Sequence, residues 1–286
     1  MKQLNFCMGL PRSGSTVLMN ILQQNPEVFT TSTDPLPFLY DQSKIAASTV
    51  SEFIAMEQFT LNDAMMSFLR EGSRGWFESL TDKPVVISKS RVWDTQLNTL
   101  FYINKNSKFI ICIRDLRDII CSFEKLIERL PVWKLGGMPH QPMDIRIQNY
   151  CTETESNLGR PLQQLPHVIE WMHKKPNNFY LMRFEDFCDD PKATLSNIYN
   201  WLGMGYYDHD LNNIKNSEIY EHDTAYRSIV THKTSSKFEK VTPSYPTMLT
   251  EDQSATIITN NSEFYQFFYP EIYDDFIRKN PQLLRR

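Results

Sequence analysis

Gly9 and Gly14, with Ser15 and Thr16 directly behind them, are the residues of this chain whose spacing speaks first of chemistry. The apolar run Leu4-Asn5-Phe6-Cys7-Met8 stops at Gly9, and apolar residues return at 17, 18, 21 and 22 with helical spacing. The pattern predicts strand, tight loop, helix. Backbone N–H groups of such a loop, together with the positive end of the helix dipole, form a seat for an anion such as a phosphate. The spacing Gly9-x-x-x-x-Gly14 is nearly that of a nucleoside-triphosphate loop, but Ser15 stands where that motif carries Lys. Without the Lys the loop suits a ligand with less charge at this end, and Arg12 supplies a cation from another point. The same pattern also serves as an ordinary strand–turn–helix entry in an α/β domain.

A second constellation is Arg114-Asp115-Leu116-Arg117-Asp118, with Ser122 a turn further on. An Arg at a strand end and a hydroxyl on the first turns of the next helix can converge on one phosphate. Taken alone, the segment could equally be a helix start with Asp near its N-terminus and Arg/Asp pairs on a solvated face. A third feature is Lys89, at the carboxyl end of the β-branched run Pro84-Val85-Val86-Ile87-Ser88. That edge of an open α/β sheet is where ligands bind.

Pro11-Arg12-Ser13-Gly14-Ser15-Thr16-x-Leu18 resembles the 5′-phosphosulfate loop of the sulfotransferase family, whose members use PAPS (3′-phosphoadenosine 5′-phosphosulfate). The Pro-Arg-Ser-Gly form is closest to the tyrosylprotein and carbohydrate branches. Arg114 to Ser122 is similar to the family's 3′-phosphate motif, with Leu116 in place of a Pro. Leu181 to Pro191 is similar to its Tyr-Glu-Asp-Leu…Asp-Pro segment, with Phe184 where a Tyr helps hold the adenine. The resemblance covers roughly residues 4–30, 84–130 and 178–203. It implies that Arg12, Ser13, Gly14, Ser15, Thr16, Arg114, Ser122 and Phe184 bind the donor, and that PAP is the product.

It also implies an in-line sulfuryl transfer to a hydroxyl or amine, without metal. Such a transfer needs cations near the bridging oxygen and the sulfonate, and a base for the acceptor. Arg12 and Lys89 are the expected cations; Lys89 matches the family's strand-end Lys. For the base, the cytosolic branch places a His two residues after that Lys, where this chain has Arg91. The tyrosylprotein branch uses a Glu after its second strand, where this chain offers Thr33 and, beside it, Asp34. Asp34 is the expected base, although Asp before Pro35 is also a common turn residue. His140 and His167 qualify by residue type alone, and Arg227, Ser235 and Lys237 are placed by position to close over the 3′-phosphate. Two rival readings stay open at this point: a P-loop kinase or other phosphotransferase, and a nucleotide-binding protein without catalysis.

Composition is that of a globular protein of 286 residues, 41% apolar and 22% charged. A net charge of −4 gives no basic footprint for nucleic acid. The five cysteines, at 7, 112, 121, 151 and 188, show no metal-ligand spacing and suit a reduced compartment. There is no run of about 18 apolar residues. With the phosphate loop reached by residue 9, these features lead to the expectation of a soluble, cytoplasmic chain without a membrane anchor.

The elements that must position these groups follow from the apolar pattern. Strands are expected at 4–9, 26–29, 84–88, 108–113 and 178–182. Helices are expected at 17–22, in 50–80, at 93–104, 116–130, about 144–158, 162–175, 190–202 and near 250–260. Phe53, Ile54, Met56, Phe59, Met65, Met66, Phe68 and Leu69 read as a core stripe. Residues 131–142 read as a Pro- and Gly-rich binding loop or lid, and 205–250 as largely irregular. Alternating strands and helices argue an α/β fold: a parallel sheet with helices on both faces, of P-loop nucleotide-binding type, with helical insertions. Because the site residues span positions 12 to 237, residues 1–286 are expected to form a single domain. Neither the acceptor nor the oligomeric state is written in the pattern.

Overall fold

The first apolar run forms strand β1, Gln3–Gly9, and a loop carries it into helix α1, Ser15–Leu22. The computed structural model describes residues 2–129, 141–153, 156–216 and 234–281. β2, Val28–Thr30, is followed by α2, Leu36–Thr49, α3, Ser51–Ile54, and α4, Gln58–Leu80. β3, Val85–Lys89, leads through a 3₁₀ turn at Arg91–Gln96 into α5, Leu97–Ile103. β4, Lys108–Ile113, runs into α6, Leu116–Arg129. Next come α7, Met143–Thr152, α8, Gly159–Gln163, and α9, Leu165–Lys174, before β5, Phe179–Arg183. The described chain continues with α10, Phe184–Asp189, α11, Pro191–Leu202, α12, Tyr245–Met248, α13, Glu251–Asn260, α14, Ser262–Phe268, and α15, Pro270–Lys279.

The five strands form one sheet in the order β2-β3-β1-β4-β5, and every pairing is parallel. Near-continuous apolar strands such as Phe109 to Ile113 are what a sheet covered on both faces requires. Alternate side chains feed two cores. Phe6, Met8, Val86, Phe109 and Ile111 face one, with Trp93, Leu97, Phe123 and Phe264. Cys7, Val85, Ile87, Ile110 and Cys112 face the other, with α1 and α11. The chain leaves β1 toward β2 on one side and leaves β4 toward β5 on the other. The switch point between β1 and β4 therefore opens a crevice at the carboxyl edge, just where the two anion motifs lie.

Some expectations change. The sequence reading assigns no helix to residues 36–49, where α2 lies; its prolines sit at the cap and second position, where a missing N–H costs nothing. The expected core stripe of residues 53–69 is mostly not core: Phe59 is 74% and Phe68 64% exposed, and Ile54 and Met56 are also on the surface. The buried residues of α4 are instead Leu61, Leu69, Ser73 and Phe77. The expected helix at 93–104 begins as the 3₁₀ turn, and the two expected between 144 and 175 are three. Of the expected loop 131–142, only Gln141 and Pro142 are described; His140 and Arg227 also lie outside the described residues.

Candidate active site

Backbone geometry shapes the loop after β1. Gly9 has φ 132°, and a Cβ there would come within 2.1 Å of the Cys112 carbonyl oxygen on β4. Only glycine permits that approach. Gly14, at φ 81°, caps α1 without any side-chain cap, and no acidic residue occupies the first turn. The helix therefore turns its first N–H groups and its positive end toward the crevice. Ser13 is fully buried, and its hydroxyl donates to the Leu10 carbonyl at 2.6 Å, so its side chain braces the loop from within.

A cavity of about 730 Å³ opens over this loop. Of the expected set it is lined by Arg12, Gly14, Ser15, Thr16, Asp34, Lys89, Arg114, Ser122 and Phe184, with Ser235 and Lys237 on its far side. Ser13 is the exception, and His167 is elsewhere, on α9 beside Glu170. Arg12, Lys89, Arg91, Arg114, Lys125 and Lys237 face the cavity against Asp34, Asp118 and Glu239. In a chain of net charge −4 that local excess of cations marks an anion site.

Arg12 and Ser122 meet. The Arg12 Nε–H donates to Ser122 Oγ at 3.0 Å, which leaves the hydroxyl proton of Ser122 to be given elsewhere. Arg114 reaches across the switch point, where its guanidinium donates to the Arg12 carbonyl at 3.3 Å. Its ion pair with Asp118 is long, 3.7 Å, and among the described residues its buried Nε has no partner. Burial and the neighbouring Arg114 charge push the pKa of Arg12 down. An anion between the two guanidiniums would relieve that repulsion and satisfy the Arg114 Nε. Phe184 opens α10 with its ring against Gly14, where an added Cβ would sit 2.5 Å from it, and under Arg114 at 4.7 Å.

Lys89 ends β3 in the crevice, almost fully buried. Its ammonium donates to Thr16 Oγ1 at 2.9 Å and to the Ser32 carbonyl at 2.6 Å. Burial, with a contribution from Arg91, lowers its pKa to about 8, against the weaker opposing influence of Cys7 and Cys112. No carboxylate neutralises this charge among the described residues, so an incoming sulfonate or phosphate is its natural counter-ion.

Asp34 is buried beside the same cavity. One oxygen accepts the Leu36 N–H at 3.0 Å, starting α2, and the other accepts the Ser88 hydroxyl at 2.6 Å. The turn role and the cavity position thus coincide in one residue. Burial raises its pKa, and the two hydrogen bonds oppose that rise. Arg91 lines the cavity two residues after Lys89, held over Asn157. Lys125 and Phe38 also line it, unmarked by any local motif.

Loop, switch point and convergent cations together define an anion-binding site of P-loop type at the carboxyl edge of the sheet. A sequence profile of the sulfotransferase family matches residues 6–208, and the chain belongs to that family, enzymes that transfer a sulfuryl group. A Caenorhabditis briggsae protein named for protein-tyrosine sulfotransferase activity is 27% identical over 208 residues, 72% of this chain and 67% of that one. The omega-hydroxy-beta-dihydromenaquinone-9 sulfotransferase Stf3 of Mycobacterium bovis is 25% identical over 126 residues, 44% of this chain and 30% of that one. Thus the match spans less than a third of the mycobacterial relative. Among solved structures, the sulfotransferase domain from the curacin biosynthetic pathway superposes with TM-score 0.55 at 15% identity, covering 92% of this chain and 98% of that one. Mouse sulfotransferase SULT7A1, crystallised with PAP, gives 0.56 at 14% identity, covering 97% and 89%. These two likenesses concern the fold. Among the described residues no helix is long and apolar enough to cross a membrane.

Proposed function

We propose that the sulfuryl donor is PAPS and that the acceptor is a hydroxyl group. The observation that carries the donor is Arg114: a buried guanidinium with an unpartnered Nε, across the crevice from the Arg12–Ser122 pair. That arrangement suits a 3′-phosphate. The phosphosulfate would then lie on the loop from Gly14 to Thr16 and the N-terminus of α1. Phe184, beside Arg114, is the ring available to the nucleoside, and Ser235 and Lys237 would cover the 3′-phosphate side.

Chemistry then falls to three groups. Lys89 and Arg12 stabilise charge on the bridging oxygen and sulfonate as the leaving phosphate develops, in a site poor in water. Asp34 receives the acceptor's proton. Two relatives are named for hydroxyl-bearing acceptors, a protein tyrosine and an omega-hydroxy menaquinone derivative, which favours a hydroxyl over an amine here. All five cysteines are free thiols, in keeping with a cytoplasmic site of action and a single reduced domain.

Calorimetric titration with PAP, and in parallel with ATP plus Mg²⁺, tests the donor. Tight PAP binding that collapses in Arg114→Ala is the expected result. Binding of ATP–Mg²⁺ with indifference to PAP would overturn it.

A further inference from the structure

Asp34 is held by a chain of hydrogen bonds whose direction the chemistry of its members fixes. The indole Nε1–H of Trp93 can only donate, and it donates to Ser88 Oγ at 3.0 Å. Ser88 has a single hydroxyl proton, and it goes to Asp34 Oδ2 at 2.6 Å. The other carboxylate oxygen takes the Leu36 N–H at 3.0 Å. Trp93 has no freedom to release the chain. It is fully buried, edge-on to Phe6 at 4.9 Å and to Tyr40 at 5.7 Å between ring centroids. Tyr40 is itself pinned: Ser73 donates its proton to the Leu69 carbonyl, so the Tyr40 hydroxyl donates to Ser73 Oγ at 2.5 Å.

We propose that Trp93 and Ser88 are positioning residues for sulfuryl transfer, a one-way relay that aims the Asp34 carboxylate at the cavity and keeps it ionised. The proposal rests on Asp34 acting as the base of the reaction proposed above. As the acceptor oxygen bonds to sulfur, its proton passes to a free lone pair of Asp34. The bond from sulfur to the bridging oxygen breaks, and its electron pair leaves with the 5′-phosphate. Asp34 must therefore arrive unprotonated although it is buried, and burial alone drives a carboxyl toward the neutral form. Ser88 opposes that drive by donating its one proton to Asp34, and the Trp93 N–H, by occupying one lone pair of the hydroxyl, turns that proton toward the carboxylate.

Among the described residues, Lys89 and Arg91 from the end of β3 and the turn after it and Arg12 from the loop share the cavity with Asp34, and the Tyr40 phenol on α2 feels its charge. None hydrogen-bonds the carboxylate, so the Ser88 contribution is separable from theirs. Neither Ser88 nor Trp93 carries a motif. Their roles come from the neighbouring strand and turn that bring them under the loop containing Asp34.

The test reads Asp34 directly and needs no acceptor. Carboxyl ¹³C resonances of labelled aspartates are followed by NMR from pH 3 to 8, with Asp34→Asn identifying the Asp34 signal. Ser88→Ala is expected to raise the Asp34 midpoint by about one pH unit, the worth of one hydrogen bond to a carboxylate. Ser88→Thr, which keeps the hydroxyl, restores it; Ser88→Cys, of similar volume with a weaker donor, falls between. Trp93→Phe frees the Ser88 hydroxyl to turn and moves the midpoint up by a smaller amount. An unmoved midpoint in folded Ser88→Ala would overturn the relay. PAP calorimetry on the same samples separates this from the donor: loss of PAP binding in the wild type with the midpoint shift intact would sink the donor assignment and leave the relay standing.

Discussion

Arg114 and Arg117 lie in the same pentapeptide, at the same sheet edge, and do opposite work. Arg117 is tied to the body of the fold by one side of its guanidinium. Its Nε and a terminal nitrogen grip Asp115 at 3.0 and 2.5 Å, and its plane covers the Tyr245 ring at 3.8 Å. Asp115 also accepts the Tyr265 hydroxyl at 2.8 Å, and its N–H donates to Glu185, which accepts the Tyr269 hydroxyl at 2.8 Å. Burial works against the Arg117 charge, but the hydrogen bonds to Asp115, its charge and the neighbouring Tyr265 and Tyr245 together raise its pKa. Arg114, by contrast, keeps an unpartnered Nε and a long ion pair. On the proposed reading, residue type therefore does not separate a binding arginine from a structural one. Unused hydrogen-bonding capacity facing a cavity does.

The largest effect that could break this contrast is on Arg117. Arg117→Ala should cost about 3–5 kcal/mol of stability, because it leaves Asp115 buried and uncompensated. Denaturant unfolding checks this, and the folded fraction should still bind PAP. If Arg117→Ala instead weakened PAP binding without loss of stability, the division would fail. Lys89→Ala comes next: turnover is expected to fall about 100- to 1000-fold, as for loss of one donor at developing charge, with PAP affinity little changed. Arg114→Ala should weaken PAP binding about 10- to 100-fold while the melting temperature hardly moves. Tyr269→Phe is the smaller test of the structural side, costing about 1–2 kcal/mol through the bare oxygen left on Glu185. The finest test is pH. In the proposed mechanism Lys89 acts as a cation, so kcat/KM should decline as pH rises through its pKa of about 8. Bound donor, being anionic, should move the corresponding decline in kcat to higher pH.

Much of this site is legible in the chain because its parts are local. The loop from Gly9 to Thr16 is a strand end and a helix start written in consecutive residues, and Arg114 and Ser122 follow the same logic after β4. What stays hidden depends on distant partners. Nothing near Asp115 announces that Tyr265, 150 positions on, will hydrogen-bond to it. Nothing near Asp34 announces Ser88. The stripe from Phe53 to Leu69 misleads for a related reason. Helical spacing says which residues share a face, but only the packing of α4 against its neighbours says which face is inside. At Asp34 the turn reading and the catalytic reading look like rivals in sequence, yet the fold lets one carboxylate start α2 and line the cavity.

Arg12 has φ 59°, the left-handed conformation that a non-glycine residue holds only at a cost of about 1–3 kcal/mol. Glycine at that position would fit the loop without this penalty, so Arg12→Gly should fold into a more heat-resistant protein with a poorer donor site. A selection for thermal tolerance alone would drift toward glycine there, and only a selection that also demands turnover would keep the arginine. Position 12 is thus a place where durability and usefulness pull in opposite directions, and the choice found in this chain records which of the two has been under demand.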